Sequence, residues 1–423
     1  MTDFDPARPQ DFLDGLMRAA IAAADPLKVV PPFLPDPPKG RTVVLGAGKA
    51  SASMARAVED NWDGEIGGLV VTRYGYNVPC SRIEIVEAAH PVPDVAGREA
   101  AARILAMTGD IGPDDLCLTL MSGGASALLI QPADGIAFED KQEVNRLLLR
   151  SGANITEMNT VRKHLSAIKG GRLARALAPG RLVTLMVSDV PGDEPGVIGS
   201  GPTVPDPTTF ADARAVIAKY KIALPPSVQA HLEAAAEETP KPGEPIFANA
   251  VQHMVARPQA SLDAAAQAAR ACGVEPVILG DRLEGKARTV AAEHARLARE
   301  TQASAGGAPK VLLSGGELTV TMTGDGKGGP NAEYMLGMAM ALDGAAGIHA
   351  LAIDTDGIDG SEDNAGARIG PDTLDRARAA GLDAAARLAD NDSYRFFAGL
   401  GDLVVTGPTF TNVNDFRALL VLS

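Results

Sequence analysis

The sequence predicts an α/β fold with two Rossmann-like domains, mostly parallel sheets and an interdomain cleft. Short apolar runs alternate with amphipathic helical patterns along the 423 residues, as in folds where helices cover a sheet. Apolar residues make up 46% of the chain, which is enough for large buried cores. The Pro- and Gly-rich segment 240–245 interrupts the alternation and predicts a linker between the two domains.

The first domain, predicted over residues 1–243, is expected to contain a parallel sheet covered by helices. Uninterrupted apolar runs predict strands that are buried on both faces, and apolar residues at helical spacing predict the helices between them. The predicted strands are 42–45, 69–72, 83–87, 116–120 and 182–187, and the predicted helices are 49–60, 98–107, 138–149 and 154–168.

The second domain, predicted over residues 244–423, continues the same alternation after the linker. The predicted helices are 261–272, 285–304 and 335–341, and the predicted strands are 276–279, 311–313, 350–353 and 419–421.

Composition and charge exclude several classes of protein. The formal net charge of −14 argues against a nucleic-acid-binding protein, which needs a basic face. The chain has no run of 18 apolar residues and no signal-peptide core at its start, so we expect a cytoplasmic protein without a membrane partner. The cysteines Cys80, Cys117 and Cys272 lack disulfide or metal-site spacing. The expected partners are small molecules, and the sequence is compatible with a homo-oligomer.

Three apolar runs end in glycine-rich turns that predict anion binding. Such turns expose backbone N–H groups at the carboxyl end of a strand, where phosphates bind. Lys49 adds a mobile positive charge to the first turn. The predicted nucleotide- or phosphate-binding residues in these turns are Gly46, Gly48, Ser51, Ser122, Gly123, Gly124, Ser314, Gly315, Gly316 and Glu317.

The first turn, GAGKAS, does not match either common nucleotide motif. A dinucleotide site has G-x-G-x-x-G and an acidic residue about 20 positions later, whereas this chain has Ser51 at the third glycine and Thr72-Arg73 further on. The Walker A pattern is also missing. The alternative is that Gly46 and Gly48 only permit a tight strand-to-helix turn.

The segment 158–188 is basic in an otherwise acidic chain. Lys169 and Arg172 flank two glycines at a helix junction, which lets backbone and cations approach one ligand. We interpret this pair as a binding site for a substrate carboxylate or phosphate. The alternative is a solvated helix face.

Acidic residues follow two predicted strands. Asp189 and Asp193 come after 182–187, and Asp354 and Asp356 come after 350–353. Carboxylates at strand ends can hold Mg²⁺ or accept a proton from a hydroxyl, although Asp also forms ordinary turns. An EF-hand is excluded because the twelfth position from Asp354 is Ala365 instead of Glu.

The segment 326–333 adds a second candidate phosphate loop. Lys327 lies among three glycines, and Asn331 follows at the start of a predicted helix. We expect both residues to contact phosphate.

The ordered set of motifs resembles the glycerate 2-kinase family, which joins a MOFRL-associated N-terminal domain to a MOFRL domain, here about residues 310–416. The resemblance covers residues 42–416, nearly the whole chain. One departure is Pro330, where the family often has arginine after the glycine pair, so that arginine's role cannot be carried over. Many members carry the older name hydroxypyruvate reductase. The matching stretches are LGAGKASASMA, HPVPD, MSGGASALL, NTVRKHLSAIKGGRLA, SDVPGDEPGVIGSGPTVPDPTTF, LSGGELTVT, GKGGPNAEY, DTDGIDGSEDNAGA and TGPTFTNVNDF.

The resemblance implies ATP-dependent phosphorylation of D-glycerate at its 2-hydroxyl. Lys49, which corresponds to the family's cleft lysine, and Lys327 would neutralise phosphate charge from opposite domains. Asp189 would act as the base or as a Mg²⁺ ligand, with Asp193, Asp354 and Asp356 as further metal candidates. Two alternatives remain: an NAD(P)H-dependent hydroxypyruvate reductase and a non-enzymatic sugar-phosphate-binding regulator.

Overall fold

The computed structural model describes residues 4–304 and 307–422. The chain forms two compact units, one from Pro26–Val255 and the other from Met1–Asp25 together with Ala256–Ser423. The helices are α1 (Pro9–Ala23), α2 (Pro26–Val29), α3 (Ser51–Asp60), α4 (Val95–Ala106), α5 (Ala125–Leu128), α6 (Phe138–Ser151), α7 (Ile155–His164), α8 (Arg172–Leu177), α9 (Phe210–Lys219), α10 (Pro226–Ala234), α11 (Pro258–Ala271), α12 (Ala287–Ser304), α13 (Pro330–Leu342), α14 (Thr373–Ala379), α15 (Ala384–Ala389) and α16 (Ser393–Leu400). The strands are β1 (Thr42–Ala47), β2 (Ile66–Arg73), β3 (Ile83–Ala88), β4 (Leu116–Met121), β5 (Arg181–Val187), β6 (Ala250–Ala256), β7 (Glu275–Gly280), β8 (Gly285–Lys286), β9 (Lys310–Gly316), β10 (Leu318–Thr319), β11 (Ile348–Asp354), β12 (Gly366–Ile369), β13 (Leu403–Val404) and β14 (Asp415–Val421).

The unit Pro26–Val255 contains a six-stranded sheet in the order β3-β2-β1-β4-β5-β6. The pairings from β3 through β5 are all parallel, as expected. In this doubly wound order, strands are added on one side of β1 up to β3 and on its other side from β4 onward. The position between β1 and β4 is the switch point, and ligands of such folds bind there, beside the carboxyl ends of the strands. Ala47, at the end of β1, pairs with Met121, at the end of β4, so the turns that follow lie side by side.

The other unit contains a six-stranded sheet in the order β13-β12-β11-β14-β9-β7. Only the β7–β9 pairing is parallel, because β14 inserts antiparallel between β9 and β11 and β12 returns antiparallel to β11. The expectation of mostly parallel sheets therefore holds for the first sheet and is corrected for the second. A strand that is buried on both faces has the same apolar pattern in either direction, so the sequence did not reveal the difference.

Helix α1 belongs to the C-terminal unit, an arrangement that the division at residue 243 did not include. Its Leu13 and Leu16 are fully buried in a cluster that contains Leu262 of α11 and Leu313 of β9. The hydroxyl of Ser261 donates to the carbonyl of Ala20 at 2.7 Å. The compact units break after residues 25 and 255, whereas the division into two α/β domains at residue 243 stays a prediction, as does the cleft.

The predicted strands of the first sheet are found close to their expected positions. Strand β6 and helix α1 are among the elements that the prediction does not include. Strand β6 carries polar residues such as Gln252 and lacks a regular alternation, so its pattern did not indicate a strand. Helix α1, in contrast, has apolar residues at helical spacing, so its sequence pattern does indicate a helix. Among residues 4–304 and 307–422, no helix combines the length and apolarity needed to cross a membrane.

Candidate functional site

The turns after β1 and β4 are joined by three hydrogen bonds. The backbone N–H of Lys49 donates to the carbonyl of Gly123 at 2.8 Å, and the N–H of Ser122 donates to the carbonyl of Ala47 at 3.1 Å. The Ser122 hydroxyl accepts from the N–H of Ala50 at 3.0 Å. The structure thus brings together Lys49 and the Ser122–Gly124 turn, as the sequence predicted.

Close backbone packing accounts for two of the predicted glycines. Gly46 lies inside β1, where an added Cβ would collide with the carbonyl of Leu120. Gly48 has a φ of 136°, and an added Cβ there would collide with the hydroxyl of Ser122. Glycine is therefore required at both positions for steric reasons alone, and phosphate binding by these two residues stays a prediction.

Ser51 holds the first turn closed. Its buried hydroxyl lies 2.6 Å from the carbonyl of Gly48 and 2.9 Å from the carbonyl of Val71, so its proton is directed to backbone oxygens. Helix α3 begins at Ser51, and the positive end of its dipole points toward the turn. Ser51 shapes the site through the backbone, and its contact to phosphate stays a prediction.

His90, for which the sequence predicts no role, borders the turn after β4. Gly124 has a φ of 83°, and a Cβ added there would lie 3.3 Å from His90 Nε2 and 3.3 Å from Lys49 Cγ. The half-buried imidazole and the lysine stem therefore flank one glycine. The signal that could have identified His90 is its place just after the predicted third strand, at the edge where the glycine turns were expected.

Lys169 lies in a cluster of buried cations. Its ammonium donates to the carbonyl of Gly199 at 3.1 Å, and only 2% of the residue is exposed. Burial, followed by the charge of Arg162, lowers the pKa of Lys169 to about 7. Burial also holds the pKa of Lys141 well below its ordinary value, with Lys169 as the next cause. Because desolvation and mutual repulsion oppose these charges, an anion nearby would favour their charged forms.

The Lys169 segment is connected to the β4 turn through Ser200. The N–H of Gly170 donates to the carbonyl of Ser200 at 3.1 Å, and the Ser200 hydroxyl lies 2.9 Å from the hydroxyl of Ser126. Arg172 is directed elsewhere: its guanidinium donates to the carbonyl of Glu237 at 2.6 Å. The structure therefore connects Lys169 to the switch-point turns, while substrate binding by Arg172 stays a prediction without a geometric link to them.

Asp189 and Asp193 lie in the turn after β5, at the same sheet edge as Lys49 and Ser122 because these strands are parallel. Asp193 has a φ of 55°, and its N–H donates to the carbonyl of Val190 at 3.0 Å. Its Oδ1 is buried and has no hydrogen-bond partner among the described residues. An orphaned carboxylate oxygen fits a cation better than it fits a phosphate.

In the C-terminal unit, Ser314, Gly315 and Gly316 form the end of β9 instead of a turn. The predicted turn is therefore wrong at these residues. Strand β14 pairs with them in the sheet, with Arg417 opposite Ser314. The buried Arg417 donates to the carbonyls of Gly315 and Gly316 at 3.1 and 3.2 Å. Glu317 follows as an exposed residue. The charged pair Asp415 and Arg417 in an otherwise apolar strand is the feature of the sequence that indicates these contacts.

Helix α13 begins at Pro330, close behind Lys327. The Asp359 carboxylate accepts from the N–H groups of Asn331 and Ala332 at 2.9 and 2.7 Å, at the positive end of the helix. The Asn331 side-chain amide donates to Asp415 at 2.7 Å. Lys327 is half exposed, and its ammonium lies 3.1 Å from Glu362. Asn331 thus donates hydrogen bonds to two carboxylates, those of Asp359 and Asp415. Phosphate contacts from Asn331 and Lys327 stay predictions.

Asp354 and Asp356 organise the loop after β11. The N–H of Asp356 donates to Asp354 Oδ1 at 3.0 Å, and the N–H of Ile358 donates to Asp356 Oδ1 at 2.7 Å. Such contacts are typical of Asx turns. Within the described parts of the chain, no group of three or more His, Cys, Asp or Glu side chains is arranged to hold a metal ion. Metal binding by the four predicted aspartates therefore stays a prediction.

Comparisons with known proteins match nearly the whole chain. Residues 12–233 match the family described as a domain of unknown function, DUF4147, and residues 310–415 match the MOFRL family. A putative hydroxypyruvate reductase of Agrobacterium vitis is 55% identical over 97% of this chain and 94% of its own length. A glycerate 2-kinase of Pyrococcus horikoshii is 39% identical over 91% of this chain and 88% of its own. The crystal structure of a glycerate kinase from Thermotoga maritima superposes with a TM-score of 0.88 at 36% identity, covering 98% of this chain and 100% of that one.

Proposed function

This chain belongs to the family of MOFRL proteins that includes the glycerate 2-kinases, and from that premise we propose that it transfers phosphate from ATP to the 2-hydroxyl of D-glycerate. The observation that carries the proposal is that the turns after β1 and β4 are joined by hydrogen bonds at the switch point, so that Lys49 lies beside the Ser122–Gly124 turn. Phosphoryl transfer needs positioning and charge neutralisation more than covalent chemistry, and this arrangement would supply both.

Lys49 is the proposed neutralising cation for the transferred phosphoryl group. Its backbone is fixed by the hydrogen bond to Gly123, so the side chain starts from a defined point at the sheet edge. The N–H groups of the Ser122–Gly124 turn and the dipole of α3 add fixed positive potential. Positive groups that need no rearrangement during the reaction stabilise the charge that develops in the transition state.

Lys169 is the proposed partner of the glycerate carboxylate. Its pKa of about 7 means that a bound anion would hold the ammonium in its charged form, because an opposite charge favours ionisation. The hydrogen bond to Gly199 fixes the head group while the rest of the side chain is buried. Arg172 is proposed only as a supporting cation, since its guanidinium is directed to Glu237.

Asp189 is the proposed base that accepts the proton of the 2-hydroxyl. Asp193, with its orphaned buried oxygen, is the carboxylate that best fits a role in holding Mg²⁺. Mg²⁺ is usually bound by one or two carboxylates together with substrate phosphates, so Asp193 is the first proposed protein ligand, with Asp189 in that role if it is not the base. When bound, the ion would neutralise phosphate charge. Asp354 and Asp356 are proposed as further ligands, and a cytoplasmic location and a homo-oligomeric state belong to the same proposal.

Reduction of hydroxypyruvate is the second candidate function, because the Agrobacterium vitis relative carries that name. The reaction would need a dinucleotide at the switch point. Ser51 replaces the third fingerprint glycine, and β2 ends in Arg73 instead of an acidic residue that could bind a ribose hydroxyl. Both features favour the kinase.

Purified protein with ATP, Mg²⁺ and D-glycerate tests the proposal. We expect ADP to form in step with 2-phosphoglycerate, detected by its direct conversion by enolase without added mutase. Parallel reactions contain hydroxypyruvate with NADH or NADPH. Oxidation of the nicotinamide cofactor with no ADP formation would replace the kinase with the reductase, and L-glycerate and tartronate in place of D-glycerate define the substrate preference.

A further inference from the structure

Arg417 is a fully buried cation in the middle of the second sheet. Its exposure is 0%, and it forms an ion pair with Asp415 on the same strand. The guanidinium also donates to the carbonyls of Gly315 and Gly316 and lies 5.4 Å from the ring centre of Tyr334. A buried charge is costly unless it is paired and hydrogen-bonded, and these contacts provide the pairing.

Asp415 holds the other side of the same segment. Its carboxylate accepts from the backbone N–H of Leu318 and from the side-chain amide of Asn331. Arg417 and Asp415 therefore fix the chain from Gly315 to Leu318 through its carbonyl groups at one end and an N–H group at the other. Gly316 has a φ of 100°, which glycine adopts readily and most other residues do not.

The same network reaches the start of helix α13. The Asn331 amide donates to Asp415 at 2.7 Å and lies 3.4 Å from Asp359, and both acceptors are carboxylates, which fixes the orientation of the amide. Asp359 in turn holds the N–H groups of Asn331 and Ala332. The end of β9, the first turn of α13 and the loop after β11 are thus connected through one buried set of polar groups.

Stability alone does not explain such a network. Well-packed apolar side chains of similar volume often stabilise a core as much as a buried ion pair or more. What the guanidinium provides, and an apolar side chain cannot, is a planar donor that holds two successive carbonyls in fixed directions.

We propose that Arg417 and Asp415 are positioning residues for the kinase reaction. They orient the Gly315–Leu318 segment and, through Asn331, the start of α13 that follows Lys327. This inference rests on the proposed function. Neither residue is expected to touch the substrates. Changing them is expected to act indirectly, by displacing the Gly315–Leu318 segment and the start of α13.

Arg417→Lys tests the role of the guanidinium. Lysine keeps the positive charge beside Asp415 but cannot hold both glycine carbonyls. We expect kcat per folded enzyme to fall by about 10- to 100-fold, as a displacement near 1 Å can cause, with KM for ATP and D-glycerate changed by less than about threefold. Arg376→Lys is the control, because Arg376 also contacts a carboxylate, Asp402, and a carbonyl, Leu400, in the same unit.

The double variant Arg417→Met/Asp415→Leu separates positioning from stability. It removes both charges together and leaves no unpaired ion. Circular dichroism and thermal unfolding establish the folded fraction before kinetics are measured. A folded double variant with reduced kcat supports the inference, and a folded variant of either kind with wild-type kcat overturns it. Failure of both variants to fold would assign the pair a purely structural role and also overturn it. An inactive wild-type protein would instead refute the proposed function.

Discussion

The hydroxyl of Ser122 accepts a hydrogen bond from the backbone N–H of Ala50 at 3.0 Å, so one side chain joins the turns after β1 and β4. Ser122 is fully buried, and Gly48 packs directly against it. The position of Lys49, between Gly48 and Ala50, is therefore set by a residue 73 positions later in the chain. Changes in either turn should affect the other.

Gly48→Ala should damage both stability and catalysis. The new Cβ would collide with Ser122 Oγ, and the φ of 136° is unfavourable for alanine. Strained backbone of this kind costs about 1–3 kcal/mol of unfolding free energy. Gly75→Ala is the control, since Gly75 has a φ of 81° but no atom within 4 Å of an added Cβ. Urea unfolding and kcat measure both effects, and equal losses in the two variants would contradict the importance of the Ser122 contact.

Lys49→Ala should lower kcat while leaving the fold intact. Removing one electrostatic donor to a developing charge costs on the order of 10²–10³ in rate. The exposed Lys39 in the same unit provides the matched control, Lys39→Ala, which should retain full activity. Steady-state kinetics at saturating ATP and D-glycerate give the comparison. Near-normal kcat in folded Lys49→Ala would leave the GAGKAS segment as a tight turn without a role in phosphate binding.

Lys327→Ala should also lower kcat if the C-terminal unit contributes to the reaction. The ammonium of Lys327 is half exposed and pairs with Glu362, and exposed ion pairs add less than about 1 kcal/mol to stability. The unfolding midpoint should therefore stay near that of the wild type. Arg296→Ala, which removes an exposed ion pair with Glu300, is the control. Unchanged kcat in Lys327→Ala would confine phosphate neutralisation to the N-terminal unit or to other residues.

Lys169→Met should change how stability depends on pH. Burial lowers the folded-state pKa of Lys169 to about 7 from an ordinary value of 10.5. Between these values the unfolded chain binds more protons than the folded protein, so this group makes the wild type more stable as pH rises from about 7 to 10. Below pH 7 both states carry the proton, and the cost of the buried charge is present in full.

Unfolding free energies at several pH values give the measurement for Lys169. The stability of the wild type minus that of Lys169→Met should rise between pH 7 and 10, and the KM for D-glycerate should rise in the variant. Lys219→Met is the control, because Lys219 is exposed and pairs with Glu157. A difference between wild type and Lys169→Met that does not depend on pH would argue against a buried, weakly basic lysine.

The parts of the site that local sequence determines were predictable. An apolar run followed by glycine predicts a turn at the end of a strand, which holds after β1 and β4 but not at Ser314–Gly316, which lie within β9. Arg417 could not be assigned in this way, because its partners Gly315 and Gly316 are brought to it only when β14 inserts between β9 and β11. The antiparallel direction of β14 is also determined by pairing with strands that are distant in the sequence. Its apolar pattern would be the same in a parallel strand.

The inclusion of helix α1 in the C-terminal unit has a consequence for biosynthesis. Residues 26–255 leave the ribosome and can fold before most of the unit that α1 belongs to has been made. At the usual 5–20 residues per second, α1 then waits about 20–80 s until β14 emerges. During that interval the apolar face formed by Phe12, Leu13 and Leu16 lacks the complete sheet that covers it in the folded unit, because β14 is the last strand to be made. This face is where we expect a nascent-chain chaperone to bind.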